Sequence, residues 1–270
     1  MFRGDCGITV SSMIQGVAIL WYWVATDTPS AHRRVNAAEL DLITAESATV
    51  AENLVSRPRN TPWLRLFSRP DLWCLAGAYA AVGYVAYFYF AWFYLYLVNE
   101  RGFSVEHAGF YTVAPFLTSA IASPVGGWLS DFLCRRYGKR VGRAGLASAG
   151  MIVTGVFIFL GAGTPDPYLC VAFMSVSIGT LFLTVAAFWA TTIDLACEYA
   201  GTVSGFMNMG GNLGGAISPT LTPYLAQRYD WEVALTVLGT MSLVGALFWL
   251  GVHPDRAINT HLMPRAASAA

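Results

Sequence analysis

Seven long stretches without a single acidic or basic side chain dominate this 270-residue sequence. They hold between 20 and 29 residues each, and about 20 mostly apolar residues are enough for a helix to cross a bilayer. One charged side chain at the centre of such a helix costs about 3 kcal/mol, which explains why charge is excluded so consistently. The sequence therefore predicts an all-α transmembrane protein with seven spans. The stretches are 7–26, 72–98, 108–130, 144–165, 167–193, 199–227 and 233–252.

The composition excludes several other classes of protein. Charged residues make up 12% of the chain, hydrophobic residues 56%, and the formal net charge is zero, so no basic surface for nucleic acid is expected. The five cysteines lie far apart without a CxxC pair, which excludes a disulfide scaffold and a Cys-rich zinc site. The HExxH, GxGxxG, GxxxxGK[ST] and GxSxG motifs are missing. We therefore expect neither an enzyme nor a resident metal or organic cofactor.

Lysine and arginine are concentrated on one side of the predicted spans. Segment 27–71 carries six and segment 131–143 carries five, against three on the opposite side. The positive-inside rule then places both segments in the cytoplasm and the N-terminus outside, with the chain in the inner membrane. The predicted parts are a lone transmembrane helix (1–26), a cytoplasmic central loop (27–71), a six-helix transmembrane domain (72–252) and a cytoplasmic tail (253–270). Six helices divided three and three are typical of one half of an inverted-repeat transporter.

The sixth span combines amide side chains with glycine. Asn208 and Asn212 are one helical turn apart and share a face, beside five glycines within 205–215. An amide in lipid must find hydrogen-bond partners or water. One interpretation is helix packing, in which small residues allow close approach and Asn bonds to a neighbouring helix. The other is a cavity wall whose amides bind a polar solute, beside a helix end that Pro219 and Pro223 kink.

Aromatic side chains provide three further candidates for a cavity wall. Tyr84 and Tyr87 stand in the middle of the second span, where each hydroxyl needs a partner. Trp189 stands among threonines in the fifth span. Packing inside the bundle and lining of a solute cavity both remain open for these three residues.

The segment after the third span carries a possible conformational latch that involves Asp131. Asp131 ends the span, and five basic residues follow it. These charges either serve only to orient the protein in the membrane, or Asp131 pairs with a basic partner and biases one conformation. A surface pair is worth about 0–1 kcal/mol, which is enough to shift a two-state equilibrium.

Four stretches together resemble the C-terminal half of a major facilitator superfamily transporter, with its preceding sixth helix, in the anion:cation symporter branch. They are WYWVATDTPSAHRRVNAAELDLI, FAWFYLYLVNERGFSVEHAGFYTVAPFL, GFMNMGGNLGGAISPTLTPYL, and Gly127-x-x-x-Asp131 followed by Arg135-Arg136. The resemblance covers residues 7–252. Phe132 stands where the family usually has Arg after the motif Asp, so the latch chemistry of this chain departs from the pattern.

The resemblance implies twelve helices in two six-helix halves, each a 3+3 inverted repeat, with a midplane site and alternating access. It implies small organic anions such as sugar acids as substrates, moved with H+ or Na+. Asn208 matches the eleventh-helix Asn that faces substrate, and Trp189 matches an aromatic residue of the tenth helix. The family's anion-binding Arg and proton-coupling acid lie in the N-terminal half and have no counterpart here.

Two hypotheses from different classes follow. In the first, the chain is part of a carrier for small organic anions, and its partners are the lipid bilayer and an N-terminal six-helix half. In the second, it is a seven-span receptor or membrane scaffold without transport activity. Five further spans encoded in frame upstream of Met1 would favour the carrier. Because the bundle alone would leave Asn208 and Asn212 facing lipid, we expect poor stability without a partner.

Overall fold

The protein, seen in a computed structural model, divides into two compact units, residues 1–60 and 61–270. In the first unit, helix α1 runs from Asp5 to Val24, and the Asn36 side chain accepts the backbone N–H of Glu39 at 2.8 Å. Parts of the predicted central loop (45–62) and tail (257–270) lie outside the described residues. The described residues are 5–32, 34–41, 44, 63–196 and 199–256.

The second unit is built from helices alone in the part of the chain that the structure describes. This confirms the predicted all-α class. Its helices are α2 (Trp63–Phe67), α3 (Pro70–Ala91), α4 (Phe93–Asn99), α5 (Val105–Tyr137), α6 (Leu146–Gly163), α7 (Pro167–Ala196), α8 (Ala200–Arg228) and α9 (Trp231–Leu250).

Five of the described helices are long and apolar enough to cross a membrane. Four of them are α3, α5, α7 and α9. The fifth is α6 together with the π-helical turn Arg140–Gly145 that precedes it, which is called the wider turn below. Helix α8 has 29 residues but is rich in glycine and polar side chains. The predicted first and sixth spans, which correspond to α1 and α8, are not among the five, so the count of seven spans stays a prediction.

Two tight helix pairs form the frame of the bundle. Helix α8 packs along α3, and α5 packs along α7, while α6 and α9 join the two pairs through contacts with α7, α3 and each other. The core lies between these helices because their inward faces carry large apolar side chains. Those at most 1% exposed include Leu75, Val85, Phe88, Met151, Ile158, Met174, Phe188, Leu238 and Trp249.

The contact between α3 and α8 requires glycine. A Cβ atom at Gly214 would overlap the carbonyl oxygen of Ala80, and a Cβ at Gly83 would overlap that of Gly211. The two backbones therefore touch, which is the usual role of small residues between membrane helices. On this side of α8 the packing interpretation of the glycines is confirmed.

A break divides the predicted second span. Helix α3 ends at Ala91 and α4 begins at Phe93, and Trp92 between them has φ −125° and ψ −18°. The sequence predicted one uninterrupted span over 72–98, with no Gly or Pro at this position to signal a break. The break lies beside the neighbouring helix α8, which the Trp92 side chain contacts.

Helix α8 continues through two prolines that were expected to kink it. Because Pro223 has no N–H, the carbonyl of Pro219 loses its usual helical donor. The indole N–H of Trp92 donates to that carbonyl at 3.1 Å. The irregular residue of one helix thus supplies the hydrogen bond that is missing in the other.

Arg101 lies in the loop after α4, at the end of the bundle opposite α2, and it binds the end of α6. Its guanidinium donates to the carbonyl oxygens of Gly161, Ala162 and Thr164 at 2.7–3.0 Å, and its Nε donates to the Tyr96 hydroxyl at 2.6 Å. The last carbonyls of a helix lack partners within it, so Arg101 caps α6.

Candidate functional site

Helix α8 has two sides with different chemistry. The side with Gly210 and Gly214 is buried against α3, whereas Asn208 and Asn212 are exposed on the bundle surface. The two interpretations of this span therefore apply to different sides of one helix. The glycines pack the bundle, and the cavity interpretation of the exposed amides stays a prediction.

Trp189 of α7 lies at the same level of the bundle as Asn208. The hydroxyls of Ser204 and Thr192 hydrogen bond at 2.7 Å, which fixes the register of α7 and α8. The two helices are antiparallel neighbours, so one turn from this bond leads to Asn208 on α8 and to Trp189 on α7. Trp189 is 42% exposed. The Asn208 amide and the Trp189 indole thus lie at one level on the exposed surface of α7 and α8, and this strip of surface is called the rim below.

Tyr79 extends this rim from α3, and the sequence analysis had not singled it out. Its ring meets that of Trp189 edge-on, with 6.3 Å between centroids, and lies over Gly211. The sequence signal for Tyr79 was indirect. A glycine such as Gly211 leaves room for a ring from a neighbouring helix, but the sequence does not say which ring. Tyr79 thereby packs against the exposed indole of Trp189.

The two tyrosine candidates of α3 lie in different surroundings. Tyr87 is 39% exposed, covers Gly215, and meets the Phe90 ring edge-on at 5.9 Å. Tyr84 is only 4% exposed and lies inside the bundle. The structure thus leaves Tyr87 accessible and keeps Tyr84 away from the exposed amides.

The end of the bundle that carries α2 also holds a network of charges, which joins three helices. Asp194 at the end of α7 binds Lys139 at 2.7 Å and the Nε of Arg143 at 3.2 Å. Arg143 also binds Asp131 at 2.8 Å and the Ser130 hydroxyl at 2.7 Å. The Arg143 and Asp194 side chains are only 13% and 15% exposed. This network is called the charged clamp below.

The four predicted latch residues take different places around the charged clamp. Asp131 belongs to it, and its partner is Arg143, while Arg135 and Arg136 are exposed. Gly127 has ordinary space beside it. Its neighbour Gly126 is the position where a Cβ would overlap the backbone of Leu183.

Sequence reasoning missed Arg143 and Asp194 as members of this site. Five basic residues follow Asp131, and nothing in the spacing selects one of them. The wider turn Arg140–Gly145 turns Arg143 toward α7. A usable signal was present at Asp194, a carboxylate that directly follows the uncharged run 167–193.

Within the described ranges, no three His, Cys, Asp or Glu side chains lie together in a way that could hold a metal ion. The described site consists of amides, aromatic rings and hydroxyls, and Asn208 and Trp189 lie about two turns from the ends of their helices. Such groups recognise a polar solute by hydrogen bonds and stacking, without covalent chemistry.

Comparisons with known proteins agree with this architecture. The model of the Major Facilitator Superfamily matches residues 5–219 and, in a second match, 107–265. "Probable sulfoacetate transporter SauU" of Cupriavidus necator is 30% identical over 249 residues, which cover 92% of this chain and 57% of that protein. The "D-galactonate transporter" of Escherichia coli O6:H1 is 29% identical, covering 87% and 56%.

A third relative, "Probable galactarate/D-glucarate transporter GudP" of Escherichia coli K12, is 30% identical and covers 97% of this chain and 56% of its own length. The chain spans a little over half the length of these three relatives. All three are named as transporters and none as an enzyme. With a family match over most of its length, this multi-pass membrane protein belongs to the major facilitator superfamily.

Proposed function

We propose that this chain forms the C-terminal half of a secondary transporter for small organic anions such as sugar acids. The observation that supports this most directly is the exposed pair Asn208 and Asn212 beside Trp189 on the surface of an otherwise apolar bundle. Lipid cannot satisfy two amides, whereas a second half-bundle enclosing a wet cavity can. The names of the relatives supply the substrate class.

In this proposal each wall residue has a distinct task. Asn208 and Asn212 donate hydrogen bonds to carboxylate or hydroxyl oxygens of the solute, because a primary amide offers two donors and an acceptor. Trp189 and Tyr87 provide flat surfaces against which a sugar-acid backbone packs. Tyr84 was a fifth candidate, and its burial favours a role within the bundle, which is developed below.

We place the coupling of H+ or Na+ in the half that precedes this chain. The seven uncharged stretches contain no carboxylate that could carry a proton and no arginine that could bind an anion. The complete transporter would then divide the work, with charge recognition and coupling on one side of the cavity and neutral hydrogen bonding on the other.

The charged clamp is assigned to conformational control. Asp131, Arg143 and Asp194 connect the ends of α5, α6 and α7, so they hold these ends together while the halves rock. We propose that this end faces the cytoplasm of an inner membrane, because it carries the five basic residues of segment 131–143 and positive charge favours that side. The N-terminus would then lie outside and the C-terminus inside.

The receptor or scaffold hypothesis accounts for less of the structure. It gives no reason for two exposed amides beside an indole at one level of the bundle. It also gives no reason why the curated relatives are named as transporters. Binding of a solute without any uptake by a complete form of the protein would nevertheless favour it.

The direct test is replacement of Asn208 by alanine in a form that contains both halves. Residues 1–270 would be joined behind the part of the E. coli D-galactonate transporter that precedes its match to this chain. We expect Asn208→Ala to lower uptake of labelled galactonate about tenfold at low concentration, because one lost hydrogen bond is worth about 1–1.5 kcal/mol. Uptake is measured in cells without a carrier of their own, at equal membrane abundance.

Met209→Ala is the matched control. Met209 is the next residue on α8 and is 50% exposed, but it lines an apolar groove with Phe206, Leu213 and Phe248. We expect its uptake to match that of the unchanged fusion. Equal uptake by the Asn208→Ala and Met209→Ala forms would remove Asn208 from the site, and a fusion that moves no carboxylate at all would contradict the substrate class.

A further inference from the structure

Besides that of Tyr199, which precedes α8, three hydroxyl groups on α3 and α8 are buried without a hydrogen-bond partner among the described residues. They belong to Tyr84, Ser218 and Thr222, which are 4%, 0% and 1% exposed. A buried hydroxyl that gives up water without gaining another partner is unfavourable, and the great majority in folded proteins are paired. Three such groups on two helices therefore need a common explanation.

The register between α3 and α8 brings these hydroxyls to one place. Ser218 continues the stripe of Gly210 and Gly214 by one turn, and Tyr84 continues the facing positions of α3 by one turn. Thr222 lies one further turn along α8, and the Tyr84 hydroxyl lies beside it. The contacts that set this register are Ala76 with Gly210 and Ala80 with Gly214.

The backbone at the same level is also short of donors. Pro219 has no N–H for the carbonyl of Gly215, and Pro223 has none for the carbonyl of Pro219. Trp92 supplies the second of these bonds from α3. Irregular backbone inside a membrane persists where side chains or ordered water satisfy the freed groups.

We propose that Tyr84, Ser218 and Thr222 hold one ordered water molecule at the contact between α3 and α8. Each hydroxyl can both donate and accept, and a buried water makes two to four hydrogen bonds. A metal cation is a poorer fit, because it would need about six oxygen ligands and here finds three neutral hydroxyls without a carboxylate. This inference is independent of the transported solute.

The water gives this contact a mechanical property that a dry one lacks. It can change partners among three hydroxyls as α3 and α8 shift, while the glycines nearby keep the backbones in contact. Trp92 and Pro219 lie at the same joint. The water therefore lets α3 and α8 move slightly past each other without losing hydrogen bonds, at the level where both helices depart from regular geometry.

The test measures the stability of Tyr84→Phe, Ser218→Ala and Thr222→Val in membranes of cells that make the 270-residue chain. Membranes are heated, extracted with detergent, and assayed for the protein that remains soluble. If the water is bound, each variant removes one of its partners, and the midpoint falls by about 3 °C. If the hydroxyls are simply unpaired, Tyr84→Phe leaves the midpoint unchanged or raises it, which overturns the proposal.

A double-variant comparison separates a shared water from three independent effects. Tyr84→Phe with Ser218→Ala should lose less than the sum of the single losses, because both change the same water. Tyr84→Phe with Ser242→Ala is the matched control and should be additive, since Ser242 donates to the Met151 carbonyl at 2.7 Å in another contact. Additive losses in both pairs would contradict a shared water.

Two further measurements identify the ligand. X-ray radiolysis in 18O water oxidises buried side chains that touch a bound water, so Tyr84 should be labelled despite its burial, and absence of the label counts against the proposal. Comparison of Na+ with K+ tests for a cation. Stabilisation of the unchanged chain by Na+ that disappears in Tyr84→Phe would replace water by a metal ion and overturn the proposal.

Discussion

Alanine at Gly214 should destabilise the bundle by about 3 kcal/mol, which is at the upper end of the usual cost of overpacking a core. The new methyl group would overlap the carbonyl oxygen of Ala80, and backbone cannot move aside as a flexible side chain does. The helices α3 and α8 would have to separate, and their whole contact would loosen. The midpoint of thermal aggregation in membranes measures this loss.

Gly205→Ala on the same helix is its control. A Cβ at Gly205 would have nothing within 4 Å, and alanine favours a helix over glycine by about 1 kcal/mol. The same chemical change should therefore be neutral or stabilising at Gly205 and strongly destabilising at Gly214. Equal midpoints for the two variants would show that α3 and α8 do not touch along this stripe.

Arg143→Ala should have the second largest effect, a loss of about 2 kcal/mol. This lies between the 0–1 kcal/mol of exposed pairs and the 3–5 kcal/mol of broken buried pairs. The substitution removes the contacts with Asp131, Ser130 and Asp194, and leaves the nearly buried carboxylate of Asp194 with Lys139 alone. Thermal midpoints at low and high salt measure both the loss and its screening.

Arg140→Ala and Arg143→Lys serve as controls. Arg140 is exposed, so its replacement should change the free energy of unfolding by less than about 0.5 kcal/mol. Lysine at 143 keeps the charge but not the fork of donors that reaches two carboxylates, and should give an intermediate loss. A loss for Arg140→Ala as large as that for Arg143→Ala would mean that charge density, and not the clamp geometry, stabilises this end.

The helical class could be predicted from the sequence because lipid imposes one simple rule, the exclusion of charge over about 20 residues. Because the same rule makes every face of a membrane helix apolar, the sequence does not show which face is buried inside the bundle. Tyr84 and Tyr87 stand in one apolar run, yet the first is buried and the second exposed. Without polar residues to mark an outer face, periodicity carries no information about burial.

Features that depend on two helices at once could not be read from either alone. The break at Trp92 has no proline or glycine to signal it, and the contact made there, a hydrogen bond from the Trp92 indole to the carbonyl that Pro223 leaves free, involves α8. Likewise the sequence predicts a basic partner for Asp131, but which of the five basic residues it is depends on the turn before α6. Asn208 could be proposed from the sequence alone because an amide in an uncharged, largely apolar stretch is conspicuous by its chemistry.

The bonds of Arg101 have a consequence for motion. They tie the loop after α4 to the last turn of α6, and α6 leads directly into α7 through a three-residue connection. We expect these parts to keep their mutual positions if α3 tilts, with Trp92, the single residue between α3 and α4, taking up the change in backbone direction. Arg101→Ala is then expected to loosen the connection between α4 and α6 without changing the contact between α3 and α8.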